Sequence, residues 1–192
     1  MNEVVPRNAV LIDESDATKY QQYLTFVLRG ETFAVSILAI KEIIQYDELT
    51  VVPLMPEFIR GVINLRGKVV PVVDLNSRFG RGMTNLARRT SIIIIEQTID
   101  KDDDIQQIGI MVDAVNEVIE IANQNVEPTP EFGNQLRNDF IEGMAKHENR
   151  FIVILNINKV LSIYDMTEIS ARIVDEHEGK SRLSLEYAST PT

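Results

Sequence analysis

The sequence repeats itself. Phe58-Ile59-Arg60-Gly61 returns as Phe140-Ile141-Glu142-Gly143, and the apolar stretch Val69–Leu75, just past a polar turn, returns as Phe151–Ile157. Upstream, Glu42 and Ile43 match Glu117 and Val118, and Val51-Val52-Pro53 matches Val126-Glu127-Pro128. One spacing holds before the prolines and a larger one after them, so a single insertion, Thr129–Asp139, reconciles the series. Matched features in a fixed order predict two related subdomains, about 20–85 and 90–165. Many short apolar segments between Gly and Pro turns point to small β-barrels. A barrel of that size buries little surface alone, so the two should pack through a shared apolar seam.

Tyr23–Leu28 and Glu31–Val35 are predicted strands joined at Arg29-Gly30, where Gly permits the positive φ of a tight turn. Ser36 can cap a short helix over Ser36–Tyr46, with Ile37, Ile40 and Ile44 as its buried stripe. The Ile content leaves a helical turn running into a strand as the alternative. Pro53 and Pro56 bracket a rigid loop, and Phe58–Leu65 and Lys68–Val73 form a second hairpin around Arg66-Gly67. Pro71 marks an edge or a bulge in it. Asp74–Arg78 reads as one helical turn and Gly80–Asn85 as a loop. Ser91–Glu96 is a β-branched strand buried on both faces. Ile108–Val112 is a further strand, and 113–121 is a helix turn or strand. Asn123–Pro130 is turn-rich, and Phe140–Ala145 with Phe151–Asn156 makes a third hairpin. Met166, Ile169, Ile173 and Val174 share one face of an amphipathic C-terminal helix. Residues 1–19 read as a flexible leader, and 166–192 as that helix and a loose tail.

Composition narrows the function. The 192 residues include 29 acidic and 19 basic side chains, a net charge of -10. Such a field repels nucleic acid and anionic membranes, so neither is an expected partner. Without cysteine there is no disulfide, thiol nucleophile or thiolate metal site. There is no signal pattern, and no apolar run approaches the roughly 20 residues of a membrane span, which predicts a soluble cytoplasmic protein.

Enzyme signals are poor. His147 and His177 are the only histidines, and no Gly-x-Ser-x-Gly elbow anchors a hydrolase triad. Gly179-Lys180-Ser181 lacks the first Gly of a phosphate loop, since Val174 stands there, and Gly80-Arg81-Gly82 lacks the third Gly of a dinucleotide fingerprint. Asp102-Asp103-Asp104 lacks the spaced Glu of a tight cation loop. Arg78, Arg81, Arg88 and Arg89 have a single aromatic, Phe79, among them and suit a solvated loop or an acidic protein partner better than nucleic acid. No catalytic residue, cofactor or metal is expected. What remains is Arg66, a large cation at an exposed hairpin tip, the residue type that anchors interfaces. Ile40 and Ile43 offer apolar surface near it.

Three stretches, Phe33–Ile43, Pro56–Leu75 and Gly109–Val118, resemble signatures of the CheW chemotaxis coupling family, the central one nearly residue for residue. Coverage is about Gln22 to Met166, within a domain of 20–165. The resemblance implies a mainly β fold of two SH3-like five-stranded barrels with short helices and a C-terminal helix. It also implies a non-enzymatic adaptor. Its partners would be the cytoplasmic tips of methyl-accepting chemotaxis receptors and the regulatory domain of the histidine kinase CheA, in arrays at the inner face of the membrane. The alternative within the family is coupling of a related, non-flagellar chemosensory kinase pathway. Residue by residue, Ile40, Gly61 and Arg66 match receptor-side positions, and Glu42 and Ile43 lie in the same signature. Val112 and Val115 fall in the segment nearer the kinase-binding side. The leader, the Asp100–Asp104 loop and the acidic tail stand outside the common core. No receiver domain follows, so the receiver-fused type, CheV, is not implied.

Overall fold

A computed structural model describes residues 20–98, 105–129 and 138–162. The expectations for the leader, the Asp100–Asp104 loop, His177, Gly179–Ser181 and the segment 166–192 lie outside those residues. So does most of the Thr129–Asp139 insertion.

The described chain is mainly β. Strands β1 (Tyr20–Leu28) and β2 (Glu31–Ser36) form the first hairpin, followed by β3 (Ile40–Gln45). The hairpin of β4 (Ile59–Leu65) and β5 (Lys68–Asp74) leads into the single helical turn α1 (Leu75–Arg78). Then come β6 (Ser91–Thr98), β7 (Ile105–Val112), β8 (Ala114–Ala122) and the two-residue β9 (Val126–Glu127). The hairpin of β10 (Ile141–His147) and β11 (Arg150–Leu155) leads into a second turn, α2 (Ile157–Val160). These strands make two sheets, ordered β3-β6-β7-β5-β4 and β8-β1-β2-β11-β10-β9.

The two orders are the same plan. In each, a hairpin lies beside a long strand, and its second strand pairs in parallel with the strand before the helical turn: β7 with β5, and β2 with β11. So β3, β6, β7, β5 and β4 correspond to β8, β1, β2, β11 and β10. The second sheet takes its β1–β2 hairpin from the start of the chain. This corrects the sequential boundaries of 20–85 and 90–165: residues 20–36 belong with the second sheet, and 91–112 with the first. A repeat compared in chain order cannot reveal a hairpin supplied from the opposite end. The sixth strand of the second sheet, β9, has as its counterpart only the single bridge Thr50↔Val62.

Ser36–Tyr46 is not a helix. Ser36 Oγ accepts the Leu38 N–H and caps a 3-10 turn, Ile37–Ala39, and β3 follows. Ile40, Ile43 and Ile44 then pair with Ile95, Ile93 and Ile92 of β6. Branched side chains gain more from this cross-strand packing than from a short helix. Residues 114–122 are likewise strand, paired along β1. Pro71 lies where β5 has not yet joined β7, opposite Val62, whose own N–H and C=O turn away to Thr50. No ladder bond is lost there.

Alternation along each strand sorts the core into three. Ile92 and Ile94 join Val70, Val72 and Met111 inside the first sheet, and Tyr23, Ala34, Ile119, Ile152 and Ile154 fill the second. Ile93 and Ile95 point the other way, into a cluster between the sheets with Phe26, Phe33, Leu75, Phe79, Phe140, Leu155 and Ile157. This cluster is the shared seam. A row of rings, Phe26–Phe33–Phe79–Phe140, runs through it at centroid spacings of 6.3, 6.0 and 6.1 Å.

The helical turns meet in the seam. Asp74 caps α1 through the Ser77 N–H, and Asn156 caps α2 through the Lys159 N–H. The Asp74 N–H donates to Phe58 O (2.7 Å), and the Asn156 N–H donates to the repeated Phe140 O (2.9 Å). Arg78 leaves α1 buried, donates from Nε to Val160 O of α2 (3.1 Å), and stacks its guanidinium 4.9 Å from Phe58 and 5.0 Å from Phe140. One cation thus ties both copies of the motif. Arg78→Ala should lower unfolding stability by about 2–4 kcal/mol through lost packing and a lost buried hydrogen bond. A urea melt within about 0.5 kcal/mol of the parent would contradict this role.

Candidate partner-binding site

The β4–β5 turn is built to present a side chain. Arg66 (φ 51°) and Gly67 (φ 84°) both adopt positive φ, as a tight two-residue hairpin requires. Asn64 Oδ1 accepts the Gly67 N–H at 2.9 Å and fixes the turn. Arg66 therefore projects, with its side chain 75% exposed, and its Nη2 lies 3.0 Å from Glu42 Oε2 on β3. Because β3 and β4 are the two outer strands of their sheet, this pair joins opposite edges of the curled sheet.

Ile43, beside Glu42 on β3, is 45% exposed. Ile40 is partly buried against the seam. The structure therefore brings Arg66 to Glu42, whereas Ile43, paired across from Ile93 while Glu42 pairs across from Ile94, turns to the opposite face of β3, the face of Ile40. Lys41 Nζ reaches Glu96 Oε1 at 3.2 Å, and Gln107 Nε2 donates to the same oxygen at 2.9 Å. The Gln107 hydrogen bond first, and Lys41 second, hold the Glu96 carboxyl below its ordinary pKa. This contribution to stability stands above the ordinary carboxylate pKa and is lost as pH falls through the lowered value.

Two expected site residues are internal. Gly61 is buried at φ 148°, and a Cβ there would lie 2.5 Å from Thr50 O and 3.2 Å from Leu49 Cβ. Its lack of a side chain admits the chain's own Leu49–Thr50 segment. Gly143 has the same relation to Val126 and Glu127. Val112 is fully buried in the seam, because β7 passes under the second sheet there, and Val115 is partly buried against the same cluster. Val112 thus offers no surface to a partner.

Other exposed apolar residues carry no such burden. Val51, Leu54 and Met55 stand out from the Pro53–Pro56 loop, with Val69 exposed on β5. Leu54 and Met55 lie between two prolines, where no strand could bury them, and Val69 lies in the predicted strand Lys68–Val73. In the second sheet, Val118 and Phe151, repeat counterparts of Ile43 and Val69, are also exposed, Phe151 at 62%. The cation is absent there: Glu148 and Asn149 hold the counterpart turn at φ 46° and 62°, and Glu117 replaces Glu42. Glu117, Glu148, His147 and Arg150 instead line a cleft of about 290 Å³.

A larger cleft of about 630 Å³ opens between the sheets. Ser36, Leu38, Ala39, Glu96 and Gln97 face Glu142 and the α2 region across it. Gln97 Nε2 spans it to Ile157 O (3.3 Å) and Asn158 Oδ1 (3.2 Å). Among the described residues no group of three or more His, Cys, Asp or Glu could hold a metal ion, and no helix is long and apolar enough to cross a membrane.

Two β-sheets with protruding turns, exposed apolar side chains and a surface Arg–Glu pair offer features suited to contact with another protein. The chain belongs to the CheW-like domain family, which it matches over residues 22–164. It is 32% identical over 148 residues to a chemotaxis protein CheW of Klebsiella aerogenes, covering 76% of this chain and 84% of that one. A chemotaxis protein CheW of Bacillus subtilis is 35% identical over 141 residues, covering 73% and 86%. The scaffolding protein TtCheW of Thermoanaerobacter tengcongensis superposes with a TM-score of 0.66 at 35% identity, covering 74% of this chain and 88% of that one. The chain is thus a CheW-type scaffold of chemotaxis signalling.

Gly61→Ala should destabilise the fold by about 1–3 kcal/mol through strain and the Thr50 clash. Arg66→Ala should change stability by less than about 1 kcal/mol, as for other exposed pairs. Thermal melts of the two variants check the contrast. A collapsed melt for Arg66→Ala would make Arg66 structural.

Proposed function

We propose that this protein is a non-enzymatic adaptor that couples chemoreceptor cytoplasmic tips to the regulatory domain of the histidine kinase CheA, within cytoplasmic arrays under the membrane. The observation that carries the reading is the exposed Arg66 held by Glu42, on one barrel only, at an edge strand whose other face exposes Ile43. Receptor tips are helical hairpins, and an apolar rim with one oriented cation suits a helix bearing an apolar stripe and a carboxylate or free carbonyl. Glu42 orients the guanidinium before binding, which lowers the entropy cost of fixing a long side chain. Ile43 supplies an apolar contact from the other face of the same edge strand, the face it shares with Ile40. Gly61 acts indirectly, by letting the loop before β4 lie close.

The kinase contact belongs to the second barrel. Val112 is buried and Val115 partly so, and the exposed residues nearest in kind are Val118 and Phe151. They carry the apolar contact that the sequence assigned to the Val112–Val115 segment.

Pull-down with a receptor cytoplasmic fragment and, separately, with a CheA regulatory domain tests the assignment. Arg66→Ala should weaken receptor binding about thirtyfold, the effect of truncating a desolvated interface Arg at about 2 kcal/mol, and leave kinase binding intact. Phe151→Ser should do the reverse. Loss of both partners in either variant, with the fold intact, would refute two separate surfaces.

A further inference from the structure

Each copy of the repeat carries a β-bulge at a glutamate. Pairing skips Lys41 between Ile40 and Glu42 in β3, and it skips Asn116-Glu117 opposite Thr25 in β8. A bulge re-aims the side chains beside it. In the first copy the glutamate, Glu42, receives the chain's own Arg66 at 3.0 Å. In the second, Glu117 is pinned through its backbone. Thr25 Oγ1 donates to Glu117 O at 2.8 Å and accepts the Glu117 N–H at 3.3 Å. The matching place in the first copy is held by an apolar side chain, Ile94, which faces Gly109 as Thr25 faces Ala34.

No cation of the described chain answers Glu117. Glu148 stands at the turn position of Arg66, and His147 stands for Leu65. Among the described residues neither Glu117 nor Glu148 has a cation at ion-pair distance. Arg150 shares their cleft, but its counterpart Lys68 likewise leaves Glu42 to Arg66. The 290 Å³ cleft therefore opens where the first barrel holds its own Leu65 and Arg66. Its wall includes Ile119 and Ile152 of the second core, and two carboxylates stand over them. That volume falls just short of the roughly 300 Å³ at which small-molecule pockets begin. It suits one side chain with an apolar stem and a cationic head.

We propose that this cleft takes an arginine side chain supplied by a protein partner, in place of the guanidinium that Arg66 supplies to the first copy from within the chain. The stem lies on Ile119 and Ile152, and the guanidinium forks between Glu117 and Glu148. A planar head with five donors serves two carboxylates at once, which a lysine ammonium does less well. The first barrel thus presents a cation and the second receives one. That the partner is the kinase rests on the coupling function proposed above; the arginine site itself does not.

NMR of the full chain, without receptor or kinase, tests the site at low ionic strength, where exposed pairs are least screened. The probe is Nα-acetyl-arginine methylamide, with its neutral citrulline analogue as control. The arginine probe should shift the amides of Asn116, Glu117, His147 and Glu148 saturably, and the citrulline probe should not. Glu148→Arg rebuilds the first-copy pair within the second. Its φ of 46° is close to the 51° that Arg66 already holds, so the turn keeps its shape. This variant should weaken the probe about threefold or more, as loss of an exposed ion pair does, and Glu117→Gln should do the same. Glu148→Arg should also weaken binding of the kinase regulatory domain by a similar factor. No shift at these amides, equal shifts from the two probes, or probe affinity unmoved by both variants would overturn the arginine site. Probe binding as expected with unchanged kinase affinity would overturn the kinase's part in it alone.

Discussion

The seam between the two sheets is the constraint on which the rest depends. Each sheet encloses only a small core of its own, and the largest cluster of buried residues lies between them. A barrel of five or six short strands buries too little apolar surface to stand alone. The sheets therefore fold against each other, with Arg78 clamped between the repeated Phe58 and Phe140. The same packing sets the relation between the surfaces at Arg66 and at Phe151. A scaffold that holds two partners in a defined geometry needs such a rigid relation.

Much of this was legible in the residues. The repeat announced two related units, and Arg66-Gly67 announced an exposed tip. Four consecutive isoleucines, Ile92–Ile95, announced a strand buried on both faces, and the seam explains it, since alternate residues serve two cores. Other features were hidden for physical reasons. The β1–β2 hairpin completes the second sheet from the far end of the chain, so no comparison in chain order finds it. The segment after Ser36 has helical spacing at Ile37, Ile40 and Ile44, yet the edge of β6 was open to pair with it. Gly61 resembled a contact position, while the group it must admit, Thr50 O, comes from a loop whose approach only the fold determines. Val112 lay in a suggestive segment, but burial is a property of the packing of sheets.

The two copies share a backbone plan and differ in charge. Arg66 with Glu42 in the first copy becomes Glu148 with Glu117 in the second, and Arg60 with Asp74 becomes Glu142 with Asn156. In each case the first copy holds an ion pair, and its counterpart lacks the cation. Duplication supplies the fold, and these substitutions give each barrel its own surface. Repulsive charges also disfavour one partner binding at both places.

The most direct measurement is sedimentation velocity on a mixture of this protein, a receptor cytoplasmic fragment and a CheA regulatory domain, each also run in pairs. The proposed function predicts a single faster species containing all three, with each partner on a different barrel of one rigid unit. Partners that displace each other, so that only binary complexes sediment, would contradict the claim that one molecule bridges receptor and kinase.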